Sequence, residues 1–571
     1  MAIFPAMTLR TMAGVLVLAC FQACPLMAEA PKVDRIFPPG GQRGKTVEVQ
    51  VTGKLPEGTR IWSNRSDVKF EIQPKEGTLR AVVDPDATPG PAWLRFYNPE
   101  GATSLRPFLI GMLPETTEHE PNDRIDQAQT AAQDSVLING ALQKSGDVDI
   151  YAVPLEQGQT VILSLRANQR LGSPVDAVLQ LTTDRGFVVA HNDDDHQVDP
   201  HITFTAAKQG TYFVRVFGFP TQPNSTIGFA GNADYLYRLL LTTGAYADHV
   251  IPLAGSLTPL PKVTLSGWNL GTATQTQPNL RADQDGHLIV FHPQVANELR
   301  IPVTSHKLIF EQEDQPGGSV QAIAVPSVVT GHIEPAGDVD AYQVSAQKGQ
   351  KLDLRCEARA FDSLLDPVLK VIDAQGKTVK EADDQAKGRL DSHLNVTIPS
   401  DGDYRIEIHD RFQSGGRRHA YRLISEAPLV DFRLTLAAGE FTLASDKPLE
   451  IPVTVIRSNG YAQEVDFVIE GLPDGVSAAP IKSMPKGDSS KAVKLKLVSK
   501  RTEPFQGTIH VVGRCLANAD SKQRAARFAI TTTRHSTSDI WLTVIKPADD
   551  AKQPQDKQPP AKDPQRKDSC H

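Results

Sequence analysis

The sequence predicts an all-β fold, a tandem array of β-sandwich domains of immunoglobulin-like and jelly-roll-like type. Three observations carry this reading. Short alternating segments such as Thr-Val-Glu-Val-Gln-Val at 46–51 recur along the chain with the period of two of a half-buried strand. Turn-forming clusters such as Pro38-Pro39-Gly40-Gly41 and Asn98-Pro99-Glu100-Gly101 separate them. A long pattern also occurs twice: Gly-Asp-Val-Asp-Ile-Tyr at 146–151 returns as Gly-Asp-Val-Asp-Ala-Tyr at 337–342. The match continues through Gly158-Gln159 with Gly349-Gln350, and Asp176, Gly186, Asp193 and Asp194 with Asp366, Gly376, Asp383 and Asp384. It closes on Tyr237-Arg238-Leu239 against Tyr421-Arg422-Leu423. A solenoid would repeat every 20 to 50 residues or so, so this longer separation means a duplicated domain.

The chain has 571 residues, room for about four domains at roughly 150 residues each and more if the β modules are small. Hydrophobic residues make up 40% and charged residues 22%, the balance of a globular protein rather than a disordered or multi-span membrane one. A formal charge of −7 offers no general attraction to nucleic acid or anionic lipid, so neither is expected as a partner.

At the N-terminus, Arg10 precedes an apolar run at 12–21 and the small-residue site Ala28-Glu29-Ala30, the pattern of a secretory signal over 1–30. The run is too short to span a bilayer, so no membrane span is expected in the mature chain. Val17-Leu18-Ala19-Cys20 also resembles a lipoprotein signal, in which Cys20 would carry the lipid. Both readings place the mature protein outside the cytoplasm, periplasmic or secreted. Of the five cysteines, Cys20 and Cys24 fall in the signal, and Cys356, Cys515 and Cys570 are too scattered for a disulfide framework or a zinc site. Cys356 is expected to be a buried small apolar residue.

Taken in order, 31–112 reads as a small sandwich with strands near 46–51 and 93–97. Its opening, Ile36-Phe37-Pro38-Pro39-Gly40-Gly41-Gln42-Arg43-Gly44, resembles the start of an IPT/TIG immunoglobulin-like module. Gly44-Lys45-Thr46 ends like a phosphate-binding loop, but Pro39 stands where the first glycine would be, and a strand follows.

The first copy of the repeat occupies 113–244, opening on Glu118-His119-Glu120-Pro121-Asn122-Asp123 and continuing through about eight short strands rich in Val, Leu, Tyr and Phe, which suggests a jelly-roll-like sandwich. Glu-Pro-Asn-Asp, Gly-Asp-x-Asp-x-Tyr, Asp176, Gly186, Asn192-Asp193-Asp194 and Gly210-x-Tyr212 together resemble the bacterial pre-peptidase C-terminal domain, related to the collagen-binding modules of clostridial collagenases. Residues 245–312 look like a divergent small β module, and 313–431 hold the second copy. A further immunoglobulin-like sandwich is expected over 432–546, with an Asn459-Gly460 hairpin signal and the loop Gly471-Leu472-Pro473-Asp474-Gly475. The tail at 547–571, with five prolines and five acidic against five basic residues, is expected to be disordered.

The candidate chemistry is oxygen-rich. Glu118, Glu120, Asn122 and Asp123 lie in one extended segment, and Asp147 and Asp149 share a face if the backbone there is a strand. Calcium takes six to eight oxygen ligands at about 2.3 to 2.6 Å, which this set can supply. The resemblance implies calcium held by the acidic linker at Glu118, Glu120, Asn122 and Asp123, with Asp147 and Asp149 as downstream ligands. The competing reading makes Asn122 and Asp123 turn caps and the aspartates solvated loop residues. In the second copy Glu311 and Glu313 keep the glutamate positions, Gln315 and Pro316 replace Asn122 and Asp123, and Asp338 and Asp340 remain, so any site there is weaker or absent.

His191-Asn192-Asp193-Asp194-Asp195-His196 reads as an exposed acidic turn, or else as a second cation site. Neither a Gly-x-Ser-x-Gly elbow nor a helical His-Glu-x-x-His occurs. The expectation is an exported, non-catalytic binding or scaffolding protein whose partner is an extracellular or envelope protein or polysaccharide. Tyr212, Phe217 and Phe219 are candidate contact residues if they are exposed. The alternative is a peptidase-associated or hydrolytic protein, because the resembled domain commonly trails secreted peptidases.

Overall fold

The computed structural model describes residues 29–545 apart from 74–76, 132–133, 196–197, 222–227, 313–319, 387–388, 446, 516–520, 531–532 and 534. The expectations for the signal, Cys20, Cys24, the tail, Cys570, His196, Glu313, Gln315 and Pro316 therefore lie outside the described residues. The chain is all-β, a series of β-sandwiches, and the described residues hold one α-helical turn, Asn168–Leu171, with a few 3₁₀ turns.

The first sandwich faces a sheet of Lys32–Phe37, Thr46–Lys54, Thr78–Val83 and Val68–Ile72 against one of Gly40–Gln42, Arg106–Gly111, Gly90–Asn98 and Arg60–Ser63. Strand alternation is visible in Thr46–Lys54, where Val49 and Val51 turn inward and Glu48 and Gln50 outward. Each copy of the repeat is a pair of five-stranded sheets with the same order. In the first copy these are Glu115–Thr117, Ser135–Ala141, Leu236–Thr242, Thr160–Arg166 and His201–Thr205, facing Gln129–Thr130, Asp149–Leu155, Gly210–Pro220, Val175–Thr182 and Val188–Asn192. In each sheet the first strand pairs parallel with the second and the rest are antiparallel. The linker thus enters along one sheet at 115–117 and leaves along the other at 129–130, crossing the end of the sandwich between.

The two-stranded and three-stranded sheets of residues 246–302 lie between the copies, and two six-stranded sheets close the chain. The Asn459-Gly460 turn has both residues at positive φ, 52° and 80°, but it carries the chain from Leu449–Ser458 in one six-stranded sheet to Val465–Glu470 in the other, so it joins the sheets rather than closing a hairpin. Cys356 and Cys515 are buried free thiols.

The array folds back on itself. Leu236–Thr242 is buried on both faces, which a sandwich strand with a free outer face is not. Its outer residues are covered by neighbouring modules: Leu236 packs with Leu109 and Phe37, and Leu240 with Tyr246 and Ala296. Trp541 of the last sandwich packs against Trp62 and Tyr97 of the first, with ring centroids 6.1 and 4.7 Å away. Arg418 of the second copy makes a bidentate ion pair, 2.7 and 3.2 Å, with Asp195 of the first.

Candidate metal centre

The site forms where the linker crosses the sandwich. Glu118 N–H donates to the Asn139 carbonyl, extending the first ladder by one residue, and Ile150 N–H donates to the Asn122 carbonyl on the opposite sheet. Residues 118–122 are therefore pinned at both ends above the start of Asp149–Leu155. Asp147 sits in the turn that precedes this strand, not on it, so the two aspartates meet through the turn rather than by strand alternation. That turn is closed by the Asp147 carboxylate, which accepts the Gln143 N–H.

The structure brings all six candidate residues together. Ligand oxygens of Glu120, Asp147 and Asp149 lie within 4.8 Å of one another, Glu120 exposed and both aspartates fully buried. Asn122, also fully buried, has one end of its amide 3.3 Å from Glu120 Oε2 and 3.0 Å from Asp149 Oδ1. With nitrogen there, the amide donates to both carboxylates. With oxygen there, a fourth oxygen joins the cluster, and such a set needs a cation at its centre. Glu118, half-buried, accepts from Gln143 Nε2 at 3.2 Å and from the Tyr237 hydroxyl at 3.2 Å. Asp123 lies on the outer side, accepting from Lys144 Nζ at 3.3 Å and from the Val148 N–H at 3.4 Å.

The exposed Lys144 pairs with two of the five carboxylates, Asp123 and Asp147, its Nζ lying 3.7 Å from Asp147 Oδ1. Asp147 Oδ1 is buried and has no hydrogen-bond partner. Burial raises the pKa of Glu118 and of Asp147, and burial together with the Glu118 charge raises Asp149 well above the usual carboxylate range. Asp123, near the surface, is instead lowered, the Val148 N–H and Lys144 offsetting its desolvation. A divalent cation would neutralise the inner group of Glu120, Asp147 and Asp149, with Asn122 beside it and Glu118 and Asp123 at its edge, held by other donors.

Three residues beyond these six complete the arrangement. Tyr237 donates to Asp149 Oδ2 at 2.5 Å, and its hydroxyl lies 2.6 Å from that of Tyr151. Both tyrosines belong to the repeated sequence, which was the available signal. Gly140 makes room: a Cβ there would lie 2.3 Å from the Tyr237 hydroxyl and 2.5 Å from Glu118 Oε2.

The second copy keeps this frame. Tyr421 donates to Asp340 Oδ2 at 2.6 Å and meets the Tyr342 hydroxyl, Asp338 accepts the Glu334 N–H at 3.0 Å, and Gly331 would clash with Tyr421 and Glu311 if substituted. Gly-Asp-x-Asp-x-Tyr is thus a structural device in both copies, its first aspartate closing a turn and its second holding a tyrosine pair. What the first copy adds in sequence is Asn122 and Asp123.

The other candidates separate. Tyr212 and Phe217 are core residues, whereas Phe219 is 41% exposed. The run 191–195 is not a uniformly exposed turn: Asp193 and Asp194 are exposed, but the Asp195 carboxylate is 7% exposed and engaged by Arg418. Asp176 is raised by burial and by the nearby Asp194 and Asp193 charges, so these three carboxylates face one another without joining the linker site.

Residues 147–218 match the family model described as bacterial pre-peptidase C-terminal domain, a stretch that includes Asp147 and Asp149 and begins after the linker. A probable subtilase-type serine protease of Deinococcus radiodurans is 28% identical over 216 residues, 31% of this chain and 29% of that protein, so the chain spans less than a third of the relative's length. The pre-peptidase C-terminal domain of a Bacillus anthracis collagenase aligns over its full length with 20% of this chain, at 14% identity and TM-score 0.16. The insect immune protein hemolin aligns over 88% of this chain and 99% of its own, at 11% identity and TM-score 0.21. The chain therefore contains a bacterial pre-peptidase C-terminal domain at residues 147–218.

Proposed function

We propose that this is an exported, non-catalytic binding or scaffolding protein in which calcium stabilises the first pre-peptidase C-terminal-like unit. One observation carries the calcium reading: Glu120, Asp147 and Asp149 converge within 4.8 Å, with two of the three fully buried and Asp147 Oδ1 accepting no hydrogen bond. Gathering buried carboxylates costs several kcal/mol unless protons or a cation neutralise them. The ion would be held by Glu118, Glu120, Asn122, Asp123, Asp147 and Asp149 and would lock the linker across the end of the sandwich. That linker continues directly into the first module, which Arg238 ties down by donating to the Leu109 carbonyl at 2.6 Å and pairing with Glu115. Calcium would thereby set the angle between module and domain, and the fixed array would present its outer sheets and loops to an extracellular or envelope protein or polysaccharide. Thermal melting with calcium and with chelator tests this; an unchanged midpoint at millimolar calcium removes the claim.

The similarity to a subtilase-type protease favours a second reading, a peptidase-associated accessory chain or a hydrolase. A protease assay on the purified full chain separates the classes. Hydrolysis abolished by replacing one serine or carboxylate would overturn the non-catalytic reading.

A further inference from the structure

A cleft of about 500 Å³, open to solvent, forms where the two repeated units and the small module between them meet His535 of the last sandwich. A second space of about 330 Å³, reaching the first module, shares Arg170, Glu298, Arg300 and His535 with it. Arginines at these junctions follow one rule: Arg166 pairs with Glu298, Arg300 with Asp283, Arg355 with Glu426, Arg418 with Asp195 and Arg422 with Glu357.

Arg170 breaks the rule. It lines both spaces and makes no hydrogen bond or ion pair among the described residues, although the charges of Glu298 and Asp362 reach it as well as those of Arg166 and Arg300. Its backbone is held in place, since Asp199 caps the helical turn Asn168–Leu171 by accepting the Asn168 and Gln169 N–H groups at 2.8 and 3.1 Å. The His535 ring stands on the same wall, also without a hydrogen-bond partner among the described residues, against Trp93 at 5.4 Å between centroids. Burial and the Arg170 and Arg300 charges push His535 down to about 4, so at neutral pH it is an uncharged donor beside two cations. A half-buried guanidinium without a hydrogen-bonded anion is costly, and its planar fork matches a carboxylate or phosphate.

We propose that the interdomain cleft binds a small oxyanion-bearing molecule, a carboxylate or a phosphate, held by Arg170 with Arg300 and His535. The volume lies within the range of small-molecule sites, about 300 to 1,000 Å³. The site bridges several modules, so its occupant would stiffen the closed form.

The test is isothermal titration calorimetry of the full chain in calcium-free buffer with two probes, inorganic phosphate and succinate. Saturable binding of either probe, weakened about tenfold or more in Arg170→Gln, is the expected result and identifies the preferred oxyanion. His535→Ala is a second, independent variant expected to weaken the same probe. Melting without any oxyanion adds a readout that a structural arginine would fail: Arg170→Gln should keep or raise the midpoint, because burial with Arg166 and Arg300 disfavours that charge by more than Glu298 and Asp362 favour it. No saturable binding of either probe, binding unchanged in both variants, or a lowered anion-free midpoint in Arg170→Gln would overturn the proposal.

Discussion

Replacing Asp149 and Asp340 by asparagine, one at a time, should separate the two copies by their response to calcium. Both carboxylates accept a hydrogen bond from a buried tyrosine, Tyr237 at 2.5 Å and Tyr421 at 2.6 Å. An asparagine oxygen still accepts that bond, so the shared cost is the loss of charge assistance, about 1 kcal/mol. The neighbourhoods differ. Asp149 stands with Glu118, Glu120, Asn122 and Asp147, whereas the second copy shows Glu311 and an Asp338 turned to its own backbone. With 5 mM calcium and a Kd of about 0.1 to 0.5 mM, typical of extracellular modules, linkage contributes about 1.4 to 2.3 kcal/mol. That corresponds to roughly 5 °C or more in the transition of a unit of this size. Differential scanning calorimetry of the full chain, with calcium and with chelator, reads it. Asp149→Asn should lose the calcium shift and Asp340→Asn should retain it. An Asp149→Asn protein that keeps the whole shift, or an Asp340→Asn protein that loses it, would refute the reasoning.

Other outcomes follow from the same geometry. Glu118, Asp147 and Asp149 have folded pKa values raised above the ordinary 4.5 and 3.8, so in chelator their contribution is present below those values and lost as pH rises through the raised ones. Chelated protein should therefore melt higher at pH 5 than at pH 8, with Asp149→Asn flattening the difference, and the calcium-induced shift should grow with pH as protons stop competing. Arg418→Ala leaves Asp195 without its bidentate partner at the contact between the copies and should cost about 2 to 3 kcal/mol in urea unfolding, while Arg405→Ala, at an exposed pair with Glu407, should cost well under 1. Gly140→Ala places a methyl 2.2 Å from the Tyr237 ring and 2.5 Å from Glu118 Oε2, so it should destabilise the first unit by about 3 kcal/mol or more and weaken calcium binding together, followed by circular dichroism and calcium titration.

Much of this architecture is legible in the sequence because strands of a sandwich announce themselves by alternation and duplication by spacing. Thr46–Lys54 turns Val49 and Val51 inward between exposed neighbours, and the matched Gly-Asp-Val-Asp stretches start equivalent strands in equivalent sheets. The site residues were legible as a composition, an acidic linker with two aspartates downstream, but not as a geometry. Asp147 joins through a turn, and Asp149 is placed by a tyrosine pair whose second member lies 88 residues away. The closure of the array was hidden for a different reason. Its contacts use single residues that look ordinary in their own modules, such as Asp195 in an acidic loop, Arg238 in a strand and Trp541 near the end. The clue was the unbroken burial pattern of Leu236–Thr242, where Leu236 and Leu240 occupy positions that a sandwich with a free outer face would give to polar residues.

Calorimetric titration of the full chain with calcium tests the account most directly. The first copy gathers Glu120, Asp147 and Asp149, and the second lacks counterparts of Asn122 and Asp123 in sequence, so under the proposed reading binding should saturate near one ion per chain and vanish in Asp149→Asn. Absence of binding, or two matched ions that survive the substitution, would contradict it.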